Sequence, residues 1–354
     1  MNNHSLFNTT ETEINTKCII SSQLNIDQVW VQALFISLYM VIFVVGVAGN
    51  LVVMGVILGN KHMWTTINLY LLNLSVSDII MSVFASSKYL GRWSFLGEGM
   101  CKLTTTSMTV SINMSTFTLA AIAINRFLAV FYPFSTRTNS IAKTIAIIFC
   151  IDLVALIITL PFALGMEFFP SKSDEMLICR STFSGMRYQV YVSFIHIAEF
   201  VSIPIIVICY VSIMVRLRQR AQNQPESRTE TQMQEEDVRT ARVNKMLMVV
   251  MLIFGICWFP EKVMFLWVTV VDIIREDACS QLILFNMYIT HIIACSSACY
   301  NPFLYGWMNP AFKAEFANLC SCVTITKEKQ DFEIPTKSAN TEELPVDIMK
   351  DVSR

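Results

Sequence analysis

Long apolar stretches, almost free of charge, alternate with short polar segments along most of the chain. A bilayer core about 30 Å thick is crossed by about 20 helical residues, so each long stretch predicts one spanning helix. Seven windows with at most two charged residues meet this length: 28–60, 62–87, 103–125, 144–166, 188–215, 246–271 and 278–312. The pattern predicts an all-α membrane protein, a bundle of seven transmembrane helices.

The composition supports a membrane protein and excludes several other classes. Of the 354 residues, 54% are hydrophobic and 15% are charged, whereas soluble domains contain about 25% charged residues. This excludes soluble domains, disordered chains and small disulfide-stapled folds. With a net charge of −1, the protein has no overall positive potential that would attract an anionic partner. Nucleic acid is therefore not an expected partner.

The distribution of basic residues predicts the orientation. Seven spans place the termini on opposite sides, and with the N-terminus outside, the inner segments hold 17 of the 26 Lys and Arg residues. This bias favours an extracellular N-terminus and a cytoplasmic C-terminus at the plasma membrane. Two glycosylation sequons in the first segment, at Asn3 and Asn8, agree.

Four parts of the chain follow from this arrangement. They are an extracellular segment 1–28, a spanning domain 29–308, a short interfacial eighth helix 309–322 and a cytoplasmic tail 323–354. The inner loop near 216–242 is rich in Arg, Gln, Glu, Ser and Thr, which predicts a solvated, partly disordered segment. No signal peptide is recognisable before residue 28, so the first span would serve as the targeting signal.

Ionisable residues within spans are costly and usually line an interior cavity. Asp78 lies near the middle of the second span. Candidates to surround it come from three other spans: Asn50, Ser115, Ser297 and Asn301. Oxygen ligands around a carboxylate could hold a sodium ion, and a purely structural hydrogen-bonded site is the alternative. For Asp152 in the fourth span, the sequence indicates no role.

Cysteines near the outer surface are candidates for disulfides. The third span runs from Cys101 at its outer rim to Arg126 at its inner rim. Cys179 lies in the second outer loop, so a Cys101–Cys179 bridge would hold that loop over the bundle mouth. Cys18 and Cys279 are the other outer cysteines and could form a second bridge.

Prolines predict bends in two spans. Pro260 removes a hydrogen bond from the sixth helix next to Trp258, and Phe254 lies one turn away on the same face. This arrangement predicts a hinge, with a static kink as the alternative. Pro302, between Asn301 and Tyr305, predicts a second kink, and the amphipathic segment after it ends at Cys320 and Cys322, which are palmitoylation candidates.

These residues together resemble the rhodopsin-like family of G protein-coupled receptors, over about residues 46–319. The matching motifs occur in order along the chain: Gly49-Asn50, Asn73-Leu74-x-x-x-Asp78, Trp93 before Cys101, Asn125-Arg126-Phe127, Pro204 and Tyr210, Cys257-Trp258-Phe259-Pro260, and Asn301-Pro302-x-x-Tyr305. The resemblance implies an outward swing of the sixth helix about Pro260 on agonist binding, which opens an inner cleft for a heterotrimeric G protein, and afterwards for arrestin.

Departures from the family pattern concern the coupling arginine. The cleft residues implied by the resemblance are Arg126, Tyr210 and Tyr305, with Arg239 and Arg242 as candidate contacts to an acidic G protein surface. Asn125 stands where the family usually has an acid, and Thr240 replaces a second one. We therefore expect easier activation and some basal signalling. The fourth-span Trp of the family is also missing.

The absence of two charged residues from the spans narrows the class of ligand. Met108 stands where amine receptors carry an aspartate, and Cys295 where opsins carry the retinal-binding lysine. Candidate ligand contacts of mixed charge and aromatic character suit a neuropeptide: Lys88, Met108, Glu199, Glu261, Lys262, Phe265, Tyr288 and His291. The long outer loop around Cys179 resembles the hairpin lid of the peptide branch.

The alternatives are a receptor for a lipid or other small molecule, a transporter, and a scavenger receptor that does not couple to a G protein. An enzyme is not expected.

Overall fold

Seven long helices and one β-hairpin make up most of the described chain. The computed structural model describes residues 28–85, 97–132, 140–170, 177–181, 185–222, 231–274 and 280–318. The elements are α1 Val29–Gly59, α2 Thr66–Phe84, α3 Gly97–Phe131, α4 Ile141–Leu164, β1 Met166–Pro170, β2 Leu177–Ser181, α5 Gly185–Gln222, α6 Thr231–Ile274 and α7 Ser280–Met308. A 3₁₀ turn, Lys61–Met63, follows α1, and a short helix α8 covers 310–318.

The helices have the length and polarity of membrane spans. Within the described ranges, six helices, α1 to α6, contain segments long and apolar enough to cross a bilayer. The 29 residues of α7 are also sufficient for a crossing and include no Asp, Glu, Lys or Arg. The predicted all-α architecture of seven helices is confirmed.

The surface of the bundle is apolar where lipid would cover it. On α4, large side chains such as Phe149, Ile157 and Leu160 are exposed. An exposed apolar surface of this extent would aggregate in water but is the stable surface in hydrocarbon. Polar side chains instead concentrate in the interior, on α2, α3 and α7.

The two ends of the bundle carry different features. At one end, called here the hairpin end, β1 and β2 pair antiparallel between α4 and α5, with Phe168 opposite Cys179. At the other end, called the arginine end, Arg126 lies near the last turn of α3. The predicted hairpin is thus present, and β1 contacts α3. Its tip lies outside the described residues, as do Asn3, Asn8, Cys18, Cys279, Lys88, Cys320 and Cys322.

The connection between α5 and α6 differs from the prediction. Helix α5 continues to Gln222 and α6 begins at Thr231, so the inner loop predicted near 216–242 is helical at both of its ends. Arg, Gln, Glu and Met are good helix formers, and they extend both helices beyond their apolar windows. Residues 223–230 lie outside the described part of the chain.

An amide on α2 joins three helices. Asn73 Nδ2 lies 3.0 Å from Thr118 Oγ1 on α3 and 3.0 Å from Asp152 Oδ1 on α4, and it donates a hydrogen bond to each. Asp152, for which the sequence indicates no role, is therefore a structural acceptor in a helix contact. In a bilayer such bonds stabilise helix association because lipid offers no other partner.

Helix α1 packs closely against α2 and α7 at two glycines. A Cβ atom added at Gly46 would lie 2.1 Å from Ser82 Oγ and 2.9 Å from Ser82 Cβ on α2. A Cβ atom at Gly49 would lie 2.9 Å from Pro302 Cγ on α7. Small residues at helix interfaces allow such close packing in membranes, so these two positions set the distance of α1 from α2 and α7.

We expect Gly46→Ala to lower the stability of the bundle. The added methyl group has to displace Ser82 or separate α1 from α2, and overpacking of this kind costs about 1–3 kcal/mol. Thermal unfolding of the purified protein in detergent measures the effect. Gly55→Ala is the matched control on the same helix, since no atom lies within 4 Å of a Cβ there. Equal melting temperatures for the two variants would contradict this account of the α1 contact.

Candidate functional site

The centre of the bundle contains a buried carboxylate bonded to α7. Asp78 on α2 is 2% exposed, and Asn301 Nδ2 donates a hydrogen bond of 2.7 Å to Asp78 Oδ2. The conformation of α7 near Pro302 is therefore tied to α2 by this hydrogen bond.

The other three predicted neighbours of Asp78 are buried but make different bonds. Asn50 Nδ2 donates to the backbone oxygens of Gly46 and Ala298, at 2.8 and 2.9 Å. The hydroxyl oxygens of Ser115 and Ser77 lie 2.8 Å apart and share a hydrogen bond. Among the four predicted residues, only Asn301 hydrogen-bonds to Asp78 in the described structure. The polar centre is thus a chain of helix-to-helix bonds joining α1, α2, α3 and α7.

Trp258 connects the middle of α6 to α7. Its Nε1 donates a 3.2 Å hydrogen bond to Ser297 Oγ, and its ring centroid lies 5.8 Å from that of Phe254. Met108 of α3 belongs to the same apolar cluster. Pro260 lies inside α6 just beyond this contact. The side chains predicted as a switch therefore lie at the junction of three helices, next to a proline in one of them.

An ion pair lies directly on the hairpin side of Trp258. Lys262 Nζ on α6 forms a salt bridge with Glu199 Oε2 on α5, and the same nitrogen lies 5.5 Å from the centroid of the Trp258 ring. Glu199 is buried and Lys262 is half-buried. A pair with this little exposure is sensitive to the loss of one partner, because the remaining charge is left without compensation.

Two predicted ligand contacts on α7 pack against α1. Tyr39 Oη lies 2.8 Å from His291 Nδ1, within hydrogen-bond distance, and both side chains are buried. The ring centroids of Tyr288 and Phe35 lie 5.8 Å apart. The α1 partners, Tyr39 and Phe35, were not identifiable from the sequence, because charge-free helices give no signal for the direction of a side chain.

For the remaining predicted residues at the hairpin end, the structure describes some side chains and only the backbone of others. Glu261 and Phe265 on α6 are half-buried. The backbones of Cys101 and Cys179 lie in α3 and β2, whereas their side chains are outside the described set, so the disulfide stays a prediction. No group of three or more His, Cys, Asp or Glu side chains that could hold a metal occurs in the described ranges.

At the arginine end, buried polar atoms lack partners. Arg126 Nε, Tyr210 Oη and Tyr305 Oη are buried without a hydrogen-bond partner among the described residues, and so are both amide atoms of Asn244 on α6. Arg126 and Tyr210 interact electrostatically. An unpaired buried polar group costs about 1–3 kcal/mol. The sequence pattern had singled out the first three of these residues but not Asn244.

Aromatic side chains also pack at the arginine end. The rings of Phe127 and Phe131 stack with centroids 4.4 Å apart, and the Arg216 guanidinium lies 5.8 Å from the Phe131 ring. Tyr305 is fully buried, with its ring centroid 5.7 Å from that of Phe312. The Arg239 side chain lies outside the described set, whereas Arg242 is exposed on α6.

Seven long helices surround a polar centre, α6 contains Pro260, and Arg126 Nε at the arginine end has no hydrogen-bond partner among the described residues. The model of the rhodopsin family of seven-transmembrane receptors matches residues 49–305. The chain belongs to this family, whose members are G protein-coupled receptors and not enzymes.

Three receptors illustrate the similarity. Neuropeptide FF receptor 1 of Rattus norvegicus is 32% identical over 82% of this chain and 72% of its own length. Type-1 angiotensin II receptor B of Xenopus laevis is 29% identical, covering 85% and 83%. Neuropeptide FF receptor 2 of Mus musculus is 27% identical, covering 87% and 77%. Membership in this family removes the transporter alternative.

We expect Glu199→Gln and Lys262→Gln each to lower the melting temperature of the receptor. Removing one partner of a buried ion pair costs about 3–5 kcal/mol, because the other charge stays buried. The double variant should lose less than the sum of the two single losses, with a coupling of about 0.5–3 kcal/mol.

The matched control replaces the neighbouring acid. Glu261→Gln combined with Glu199→Gln should give additive losses, since Lys262 is the residue that forms the salt bridge with Glu199. Additive losses for Glu199→Gln and Lys262→Gln would show that the salt bridge contributes nothing to stability.

Proposed function

We propose that this G protein-coupled receptor binds an extracellular neuropeptide at the plasma membrane, with its N-terminus outside and its C-terminus in the cytoplasm. On this orientation the hairpin end faces the extracellular space and the arginine end faces the G protein. The bias of Lys and Arg toward the arginine-end segments supports it. The observation that carries the coupling role is that buried polar atoms at the arginine end, Arg126 Nε among them, have no hydrogen-bond partner among the described residues.

A peptide ligand is supported by the chemistry of the hairpin end. Lys262, Glu199 and Glu261 offer both signs of charge next to Trp258 and Phe265, and a peptide supplies termini, backbone groups and side chains for both. Met108 stands where an amine ligand would need a carboxylate, and residues 103–125 of α3 contain no acid. The names of the three relatives, two neuropeptide receptors and one angiotensin receptor, point in the same direction.

The signal would pass along α6. A ligand that binds more tightly to one arrangement of Lys262 and Trp258 shifts the equilibrium toward that arrangement, by no more than its difference in affinity. Because Trp258 is bonded to Ser297 on α7, repacking at this level changes the contact between the two helices. The segment of α6 before Pro260 then swings outward and opens the arginine end.

The open cleft would supply the partners that the closed end lacks. Arg126 has no ion pair in the described part of the chain, and Tyr210 and Tyr305 have no hydrogen bond there. Polar backbone and side-chain groups of a G protein's terminal helix would bond to these atoms. The energy of leaving them unpaired thus favours complex formation, and arrestin would use the same cleft.

The proposal also includes a sodium ion near Asp78. Asn50 Oδ1 is a buried acceptor without a hydrogen-bond partner in the described structure, and carboxylate and amide oxygens suit a small hard cation. The bond from Asn301 to Asp78 means that an ion at this carboxylate would affect α7 directly.

Screening a neuropeptide library in cells that express the receptor, with G protein activation as the readout, tests the proposed function. We expect at least one peptide to activate the receptor and Arg126→Ala to abolish the response at equal surface expression. Arg218→Ala, which removes an exposed arginine at the same end of the bundle, should leave it unchanged. A peptide response that survives Arg126→Ala would refute the coupling role, and a response only to lipids or small non-peptide molecules would refute the ligand class.

Basal activity tests whether the missing acidic partner of Arg126 leads to ligand-independent signalling. Asn125→Asp places a carboxylate next to the guanidinium, and an ion pair of about 1 kcal/mol would favour the closed state by about fivefold. We expect ligand-independent G protein activation to fall accordingly. Asn125→Gln, which adds no charge, should leave it near the original level. Basal signalling that is unchanged or higher in the aspartate variant would contradict the hypothesis.

A further inference from the structure

A basic cavity opens beside α6 and α7 at the arginine end. Its volume is about 580 Å³, and its lining includes Arg242 and Lys245 of α6, Trp307 and Met308 of α7, and Pro310 and Lys313 just beyond α7. Cavities that hold small molecules or headgroups measure about 300–1,000 Å³, so this one is large enough for a ligand. The cleft residues Arg126, Tyr210 and Tyr305 do not line it, and Arg242 is the one residue of the lining that is also a candidate contact to the G protein.

The charge of the cavity favours an anion with several negative groups. Three cations line it, and its lining contains no acidic residue. Within the described structure none of the three forms a salt bridge, and all are exposed. Cations close together repel one another, so a polyanion placed among them would relieve repulsion as well as form new bonds.

The position of the cavity on the helices shows that it faces lipid. Lys245 lies seven and eleven residues before Leu252 and Ile256, which places the three side chains on one face of α6. Both apolar residues are highly exposed, Ile256 by 69%. This is the surface that hydrocarbon covers, so Lys245 lies where the same surface reaches the level of the lipid headgroups.

Helix α7 gives the same result from the other side of the cavity. Trp307 follows Tyr300 and Phe303 by seven and four residues, and these side chains form one exposed stripe, with Trp307 exposed by 81%. Tryptophan next to Lys and Arg at the end of a spanning helix is typical of the membrane interface. A surface for a soluble protein would not continue the hydrocarbon-facing stripes of two helices.

We propose that this cavity binds the headgroup of a multiply phosphorylated inositol lipid from the cytoplasmic leaflet. Phosphate groups would bond to Arg242, Lys245 and Lys313, while the acyl chains lie along the apolar stripes of α6 and α7. Basic pockets between spanning helices on the cytoplasmic side bind such headgroups. The inference rests on the orientation given under the proposed function, because this leaflet carries these lipids.

Binding of a short-chain phosphatidylinositol 4,5-bisphosphate to the purified full-length receptor in detergent, followed by native mass spectrometry, tests the proposal. The variant Arg242→Gln, Lys245→Gln and Lys313→Gln should bind about 100-fold more weakly, from a loss of about fivefold for each cation. The matched control replaces three other exposed cations at the same end: Lys61→Gln, Lys143→Gln and Arg218→Gln. Its affinity should stay within about twofold of the original.

Two further comparisons keep the result interpretable. A charge-preserving variant, Arg242→Lys with Lys245→Arg and Lys313→Arg, should retain binding if the cations act through charge. Unphosphorylated phosphatidylinositol should bind far more weakly than the bisphosphate. Equal losses in the cavity and control variants, or equal binding of the two lipids, would overturn the proposal.

Other outcomes identify a different occupant. Free inositol trisphosphate that binds as tightly as the lipid would assign the cavity to a soluble anion. Intact lipid binding with reduced G protein activation in the Gln variant would assign Arg242 and Lys245 to the G protein surface. Either result overturns a lipid site. The binding assay needs neither an agonist nor a G protein, so its outcome is separate from that of the peptide screen.

Discussion

The constraint on which this structure depends is that hydrocarbon offers no hydrogen bonds, so every polar group at membrane depth needs a partner inside the bundle. Asp78 meets this requirement through Asn301, and Asp152 through Asn73. Each bond also joins two helices that are distant in sequence. The polar residues that make spans costly to insert are therefore the same residues that fix which helices are neighbours.

The arginine end departs from this rule, and the departure bears on function. Among the described residues, Arg126, Tyr210, Asn244 and Tyr305 keep buried polar atoms without hydrogen-bond partners, whereas Asp78 at the centre is hydrogen-bonded. Groups left unpaired in one arrangement favour any other arrangement that supplies a partner. A receptor requires two packings of similar free energy. The unpaired atoms at this end reduce the stability of the closed packing at the place where the G protein would enter.

The sequence predicted the spans, the hairpin and the contact of Asn301 with Asp78, but not the direction of most side chains. A charged residue is costly at membrane depth on whichever face of a helix it lies. Charge-free windows therefore locate the helices but give no information on the rotation of each helix about its axis. His291 illustrates the limit: its bond to Tyr39 depends on how α7 rotates against α1, where Gly49 meets Pro302. The helical ends of α5 and α6 were missed because polar helix formers and disordered segments have similar compositions.

The lipid-facing cavity adds a third influence on α6. Its cations lie on both α6 and the segment after α7, so an outward swing of α6 changes the distances of Arg242 and Lys245 from Lys313. A headgroup bound across them would then have different affinities for the two packings. By linkage, any such difference changes the apparent affinity of the agonist by the same factor. The response to a peptide at the hairpin end would therefore depend on the lipid at the arginine end, although the two sites share no residue and lie at opposite ends of α6.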